Sequence, residues 1–110
     1  MDVHDRSQLV LDWQNHRASL SGDVELLNLG TSADAELAVP RTFTSKNHAH
    51  IERRKQDIVL VDHSTNGTFV QTEDERITFV RRGTIRLWGA GWISLGEPLT
   101  PEAAIRFRSV

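Results

Sequence analysis

Two short polar segments carry the side chains whose types could do chemistry in this 110-residue chain. They are residues 44–51, TSKNHAHI, and residues 62–70, DHSTNGTFV. Each segment places polar groups just before an alternating apolar run of the kind that forms a strand. The groups are hydroxyls, an ammonium and an amide: Ser45, Lys46, Ser64, Thr65 and Asn66. A donor-rich, partly cationic set of this kind suits a phosphate or another oxyanion.

Histidines in the same two segments allow a second kind of site. His48 and His50 fall on one face of the predicted strand, and Asp62 and His63 follow in the second segment, so a metal site is conceivable. Nothing in the sequence fixes a third ligand, and we predict neither a metal nor a cofactor. The run from Asp62 to Ser64 has the residue types of a hydrolase triad, but consecutive residues of a strand point to alternate faces. We therefore predict a binding module and not an enzyme.

Short strands are the elements that must position these loops. Apolar and polar residues alternate in many short runs, of which the first contains Leu9, Leu11 and Trp13. Turn sequences such as Asn66-Gly67 separate the runs at short intervals, and no run is periodic over the length of a helix. This pattern predicts an all-β sandwich with its inter-strand loops gathered at two ends.

Two runs depart from simple alternation. Residues 58–61, IVLV, are apolar on both faces, which predicts a strand in the interior of a sheet. Val24 and Leu26 alternate, but Leu27 and Leu29 continue in the opposite phase. The shift predicts a bulge or the end of a strand.

Composition limits the class of protein. The length corresponds to about one domain. A net charge of −2, from 13 basic and 15 acidic residues, argues against a general nucleic-acid binder. The absence of cysteine excludes a disulfide scaffold and a thiolate site, and it favours the cytoplasm. No apolar run approaches the roughly 20 residues of a membrane-spanning helix. We expect a single cytoplasmic domain with no nucleic-acid or membrane partner.

The basic residues also cluster locally. Residues 53–55, RRK, precede Asp57, and Arg81 and Arg82 precede Gly83. We interpret both clusters as solvated side chains at the tips of turns.

The two polar segments resemble the motifs of the forkhead-associated (FHA) domain family. That family is marked by Gly-Arg, then Ser-Arg-x-His, then Ser/Thr-Asn-Gly-Thr. Residues 45–48, SKNH, are similar to the second element and residues 64–68, STNGT, to the third, with 21 positions between Ser45 and Asn66. The resemblance extends over residues 8–108 and leaves residues 1–7 as a flexible segment. Residues 48–70 look most like FHA modules attached to bacterial nucleotide cyclases.

The resemblance implies a sandwich of about 11 mostly antiparallel strands in two sheets, which binds phosphothreonine peptides through loops at one end. Ser45 would hydrogen-bond the phosphate, and Lys46, at the position of the motif arginine, would supply positive charge. Thr65 would contact the phosphate or the adjacent peptide, and Asn66 would hold the peptide main chain. Residues that shape the loops would be Gly30, His48 and Gly67. The implied partners are a phosphothreonine-containing protein and a fused or docked enzyme domain.

One position departs from the family pattern. Gly30 matches the glycine of the first element, but Thr31 stands where the family has its main phosphate-binding arginine. Threonine offers one neutral hydrogen bond and cannot form a bidentate charged fork. Arg41, close to Ser45 in sequence, is a candidate replacement for the missing charge. The alternative is a phosphate-independent module for protein interaction or dimerisation.

Overall fold

The computed structural model describes residues 8–110, and the predicted flexible segment 1–7 lies outside them. The described chain is all-β. None of its residues forms a helix long and apolar enough to cross a membrane. The eleven strands are β1 Leu9–Trp13, β2 His16–Leu20, β3 Leu26–Gly30, β4 Leu37–Ala38, β5 Ala49–Arg54, β6 Asp57–Asp62, β7 Thr68–Gln71, β8 Ile77–Val80, β9 Thr84–Leu87, β10 Ala90–Leu95 and β11 Ile105–Ser109.

The strands form two sheets. Six of them pair in the order β2-β1-β11-β10-β7-β8, and five pair in the order β4-β3-β5-β6-β9. The register is antiparallel throughout, apart from the short parallel contact of β3 with β4. The predicted sandwich of mostly antiparallel strands is confirmed.

Strict alternation builds the core between the sheets. Leu9, Leu11 and Trp13 of β1 are buried, and Ile105 and Phe107 of β11 extend the same apolar face. The five-stranded sheet contributes buried side chains from its three central strands: Leu27, Leu29, Ile51, Ile58 and Leu60. Burying each large aliphatic or aromatic side chain contributes about 1.5–3 kcal/mol, so the core stabilises the strands that carry the loops.

The two irregular runs have clear structural counterparts. Strand β6 lies between β5 and β9, as the doubly apolar run 58–61 predicts. Leu27 and Leu29 are buried, whereas Val24 and Leu26 are 42% and 40% exposed. The phase shift therefore falls at the start of β3: Val24, before the strand, and Leu26, its first residue, stay at the surface, and the buried face begins at Leu27.

Five loops meet at one end of the sandwich, which we call the loop end. They are residues 31–36, 39–48, 63–67, 81–83 and 96–104. Main-chain hydrogen bonds link them: Thr31 N–H to Ser45 O (3.1 Å), His63 N–H to His48 O (2.9 Å), Asp62 N–H to Gly83 O (2.9 Å) and Gly96 N–H to Gly67 O (2.9 Å). Both polar segments thus lie on the same surface, held by backbone contacts.

Candidate functional site

Gly30 allows the loop 39–48 to lie directly on the end of β3. A Cβ atom at this position would lie 2.1 Å from the carbonyl oxygen of Lys46, which no side chain could tolerate. The adjoining N–H groups of Thr31 and Ser32 donate to the carbonyls of Ser45 and Lys46 at 3.1 and 3.2 Å. The glycine is required for this close approach, which fixes Ser45 and Lys46 beside Thr31.

His48 is fully buried and ties two loops together. Its Nδ1 accepts a hydrogen bond from the main-chain N–H of Ser45 at 3.0 Å, so the ring proton is on Nε2, which donates to the carbonyl of Gly67 at 2.8 Å. Burial lowers the pKa of His48, although the bond to Gly67 and the Asp62 carboxylate raise it in part. A neutral imidazole therefore spans the two polar segments as a structural strut.

Asp62 is the buried centre of the second segment. Its carboxylate accepts from the main-chain N–H of Ser64 (3.0 Å), the Ser64 hydroxyl (2.8 Å), the Thr68 hydroxyl (2.6 Å) and the main-chain N–H of Arg82 (2.9 Å). Burial pushes the pKa of Asp62 up, but these hydrogen bonds outweigh it and hold the pKa below its ordinary value. The Ser64 hydroxyl also accepts from the N–H of Gly67 at 2.7 Å. Ser64 is thus an internal brace, and the idea that it is a surface donor is wrong.

The turn at Asn66 and Gly67 has the conformation that its sequence predicts. Gly67 has a φ of +85°, and a Cβ there would lie 2.3 Å from the ring of Phe79. Both the backbone conformation and the packing therefore require glycine. The side-chain amide of Asn66 is exposed and donates through Nδ2 to the carbonyl of Phe43 at 3.1 Å. This bond fixes the orientation of the Asn66 amide, whose carbonyl oxygen and second N–H take no part in it.

Four predicted donor residues, Thr31, Ser45, Lys46 and Thr65, lie next to one another on the loop end. The main-chain N–H of Thr65 faces the Ser45 hydroxyl oxygen at 3.4 Å, so the hydroxyl proton is left to donate elsewhere. Lys46 and Thr65 are exposed, and Ser45 and Thr31 are half-buried. The Lys46 ammonium has no carboxylate partner within residues 8–110. The loop end can therefore offer neutral and charged donors to one bound oxyanion.

Arg41 is engaged elsewhere on the loop end. Its guanidinium forms a two-pronged ion pair with Glu97, at 2.7 Å through Nε and 3.2 Å through Nη2. The pairing raises the pKa of Arg41, and it lowers the pKa of Glu97. Both side chains are mostly covered, at 29% and 16% exposure. The charge of Arg41 is neutralised by Glu97 and not directed freely toward Ser45.

The sequence interpretation treated Arg81 and Arg82 as solvated turn residues and gave them no role at the site. Both are exposed, but each guanidinium lies on the second polar segment: Arg81 Nε donates to Thr65 O at 2.8 Å, and Arg82 Nε to Ser64 O at 3.2 Å. The signal that could have placed them is the register of β7 with β8. Thr68 pairs with Val80, so the residue after Val80 must lie beside the residue before Thr68.

The histidines do not assemble a metal site. His48 is fully buried between the two polar segments, whereas His50 has its Nδ1 at 2.7 Å from His63 Nε2 and its Nε2 at 2.7 Å from Glu52. Across residues 8–110 no group of three or more metal-ligating side chains is positioned to hold an ion. The triad types also fail to align, because Asp62 bonds Ser64 itself while His63 faces His50.

The comparisons with known proteins agree with this geometry. A family model described as FHA domain matches residues 27–86. No curated protein matches the sequence.

Several solved structures share the whole fold. The Mycobacterium tuberculosis Rv1747 FHA-1 domain is 16% identical, with a TM-score of 0.74 over 94% of this chain and 97% of that one. The FhaA FHA domain, solved with the intracellular domain of Rv3910, is 26% identical, with a TM-score of 0.64 over 93% of this chain and 99% of that one. A structure from work on phosphothreonine-dependent FHA domain interactions is also 26% identical, with a TM-score of 0.65 over 93% and 94%.

Proposed function

Because the chain belongs to the FHA domain family, we propose that its loop end binds a phosphothreonine-containing peptide as an interaction module in signalling. One observation carries the proposal. The Ser45 hydroxyl keeps its proton for a ligand while Lys46 and Thr65 stand exposed beside it, on loops that buried hydrogen bonds hold in place. Rigid loops leave little ordering cost to be met on binding.

Each residue has a separate role in the proposed complex. Ser45 and Thr65 donate hydroxyl hydrogen bonds to the phosphate, Thr31 adds a neutral donor, and Lys46 adds charge. Asn66, oriented by the carbonyl of Phe43, holds the peptide main chain next to the phosphothreonine. Two relatives at 26% identity support phosphothreonine-dependent binding by the domain: one comes from work on phosphothreonine-dependent interactions, and the other is a complex with a protein domain.

A paired-peptide titration tests the proposal. A peptide selected from a degenerate phosphothreonine library should bind at least about tenfold more tightly than its unphosphorylated twin, because charged hydrogen bonds contribute about 1.5–3 kcal/mol each. Ser45→Ala should remove much of the difference, whereas Ser19→Ala on the edge strand β2 should leave it intact. Equal affinities of the two peptides would favour the phosphate-independent module instead.

The wider setting of the module is also part of the proposal. We propose that it works in the cytoplasm without catalysing a reaction, joined to or docked on an enzyme domain such as a nucleotide cyclase, and apart from nucleic acid and membrane. The net charge of −2 and the lack of cysteine support this setting. Affinity capture with the native chain as bait, compared with capture by the Ser45→Ala variant, would identify partners whose binding depends on the site.

A further inference from the structure

The loop end lacks the guanidinium that its motif pattern calls for. Thr31 stands at that position, and Arg41, the nearest substitute in sequence, is held by Glu97. A dianionic phosphate bound by hydroxyls and one lysine would lack the planar charged fork that guanidinium provides. Another arginine at the same surface would complete the site.

We propose that Arg81, on the loop between β8 and β9, is the phosphate-binding arginine of this module. The inference rests on the proposed function. Arg81 Nε bonds the carbonyl of Thr65, and the N–H of the same Thr65 faces the Ser45 hydroxyl. A single residue of main chain therefore separates the guanidinium from the hydroxyl that would donate to the phosphate.

The chemistry of Arg81 suits this role. Among residues 8–110 only its Nε is engaged, so both Nη groups remain as donors toward the described chain, and the side chain is exposed. No carboxylate pairs with Arg81 within the described chain, unlike Arg17, Arg41, Arg54 and Arg86, which each bond an acidic side chain. The Nη edge is thus a charged, two-pronged donor without a competing anion.

Arg82 acts as the positioning residue for Arg81. The φ of Arg82 is +57°, a left-handed backbone conformation that residues other than glycine and asparagine rarely adopt. The buried Asp62 carboxylate holds it there by accepting from the Arg82 N–H, and the Asp62 N–H bonds the carbonyl of Gly83. These two contacts fix the backbone on both sides of Arg82, and with it the position from which the Arg81 side chain extends.

The test uses a library-selected phosphothreonine peptide and its threonine twin. Arg81→Ala should lower affinity for the phosphorylated peptide by about tenfold or more and leave the twin unchanged. Arg86→Ala is the matched control, because it removes the same charge from the neighbouring strand, at an ion pair with Asp57. Arg81→Lys should recover part of the loss, since it restores charge without the fork.

A double variant tests whether Arg81 takes the place of the arginine that is missing at position 31. Thr31→Arg should tighten binding modestly in the native chain but rescue Arg81→Ala much more strongly, because both arginines would serve one phosphate. Equal gains in the two backgrounds would overturn the inference, as would equal losses for both peptides, which would indicate a purely structural effect on Thr65. If the native chain discriminates phosphate and Arg81→Ala does not change this, the inference fails while the proposed function stands. If the native chain does not discriminate, both fail.

Discussion

The two ends of the sandwich both carry arginines, but their guanidiniums have different partners. At the end that holds the β5–β6 turn, Arg53 pairs with Glu25 at 3.2 Å, Arg86 pairs with Asp57 at 3.3 Å, and Arg54 bonds Glu52. At the loop end, Arg41 pairs with Glu97, but the guanidiniums of Arg81 and Arg82 bond main-chain carbonyls and pair with no carboxylate among the described residues. The Lys46 ammonium at the same end likewise has no carboxylate partner in the part of the chain that the structure describes.

The contrast shows why the overall charge says little about what the molecule attracts. The chain is slightly acidic as a whole, yet among residues 8–110 three ion pairs gather at the β5–β6 end, while at the loop end the side chains of Lys46, Arg81 and Arg82 pair with no carboxylate. Interactions between exposed charges are screened within about 10 Å at ordinary salt, so a phosphate would sense mainly the local set. The choice of partner therefore depends more on which charged side chains are left unpaired at the binding surface than on the net charge of the chain.

The largest difference between the ends should appear when one aspartate is removed from each. Asp62→Ala deletes the buried acceptor of Ser64, Thr68 and Arg82, so it should lower the free energy of unfolding by about 3 kcal/mol. Asp57→Ala breaks only an exposed pair with Arg86 and should have almost no effect. Urea denaturation measures both, and similar losses would remove the distinction between the two ends.

The second-largest effect should be a loss of stability in acid, which arises at the loop end. The pKa of buried His48 is lowered in the folded state, so its stabilisation is complete above the ordinary value of about 6.5 and is lost as pH falls below it. Stability should decline by up to about 1.4 kcal/mol per pH unit in that interval. The pKa of Asp62 is also lowered, but its loss begins only below about pH 4.

Denaturation at a series of pH values between 7 and 5 checks this expectation. His48→Asn should flatten the profile, whereas His16→Asn, at an exposed position on β2, should not. A native profile that is already flat over this interval would contradict the assignment of a buried neutral imidazole to His48.

The smallest expected effect is the difference in phosphopeptide binding between substitutions at two exposed lysines, Lys46 and Lys55. Lys46→Gln should weaken phosphopeptide binding several-fold and reduce its dependence on salt, because the ammonium acts as a point charge near the phosphate. Lys55→Gln, in the β5–β6 turn, should change neither quantity. Isothermal titration at two salt concentrations distinguishes them, and equal responses would mean that charge acts at long range and not at the loop end.

Sequence was sufficient wherever local chemistry decides the structure. The alternation of Leu9, Leu11 and Trp13 predicted a buried face, and the Asn66-Gly67 pair predicted a turn with positive φ. Both follow from neighbouring residues alone, through the pleat of a strand and the freedom of glycine. The resemblance to the FHA motifs also implied that the two polar segments lie at one end, and their loops are hydrogen-bonded to each other there.

Sequence failed where the answer depended on the pairing of distant strands. Ser64 looked like a surface hydroxyl because nothing local shows that Asp62 turns inward beneath it. Arg81 looked like a solvated side chain because its contact with Thr65 exists only once β8 pairs with β7. Such contacts are set by register, which a short alternating run does not specify by itself.

The Asp62 carboxylate also limits how the surface can be transplanted. It bonds Ser64 in one loop and Arg82 in another, so neither loop holds its shape independently of the other. A designer who grafts residues 63–67 alone onto another sandwich would leave behind the turn at Arg82 that braces them. The transferable unit is the pair of loops together with the strand end that carries the aspartate.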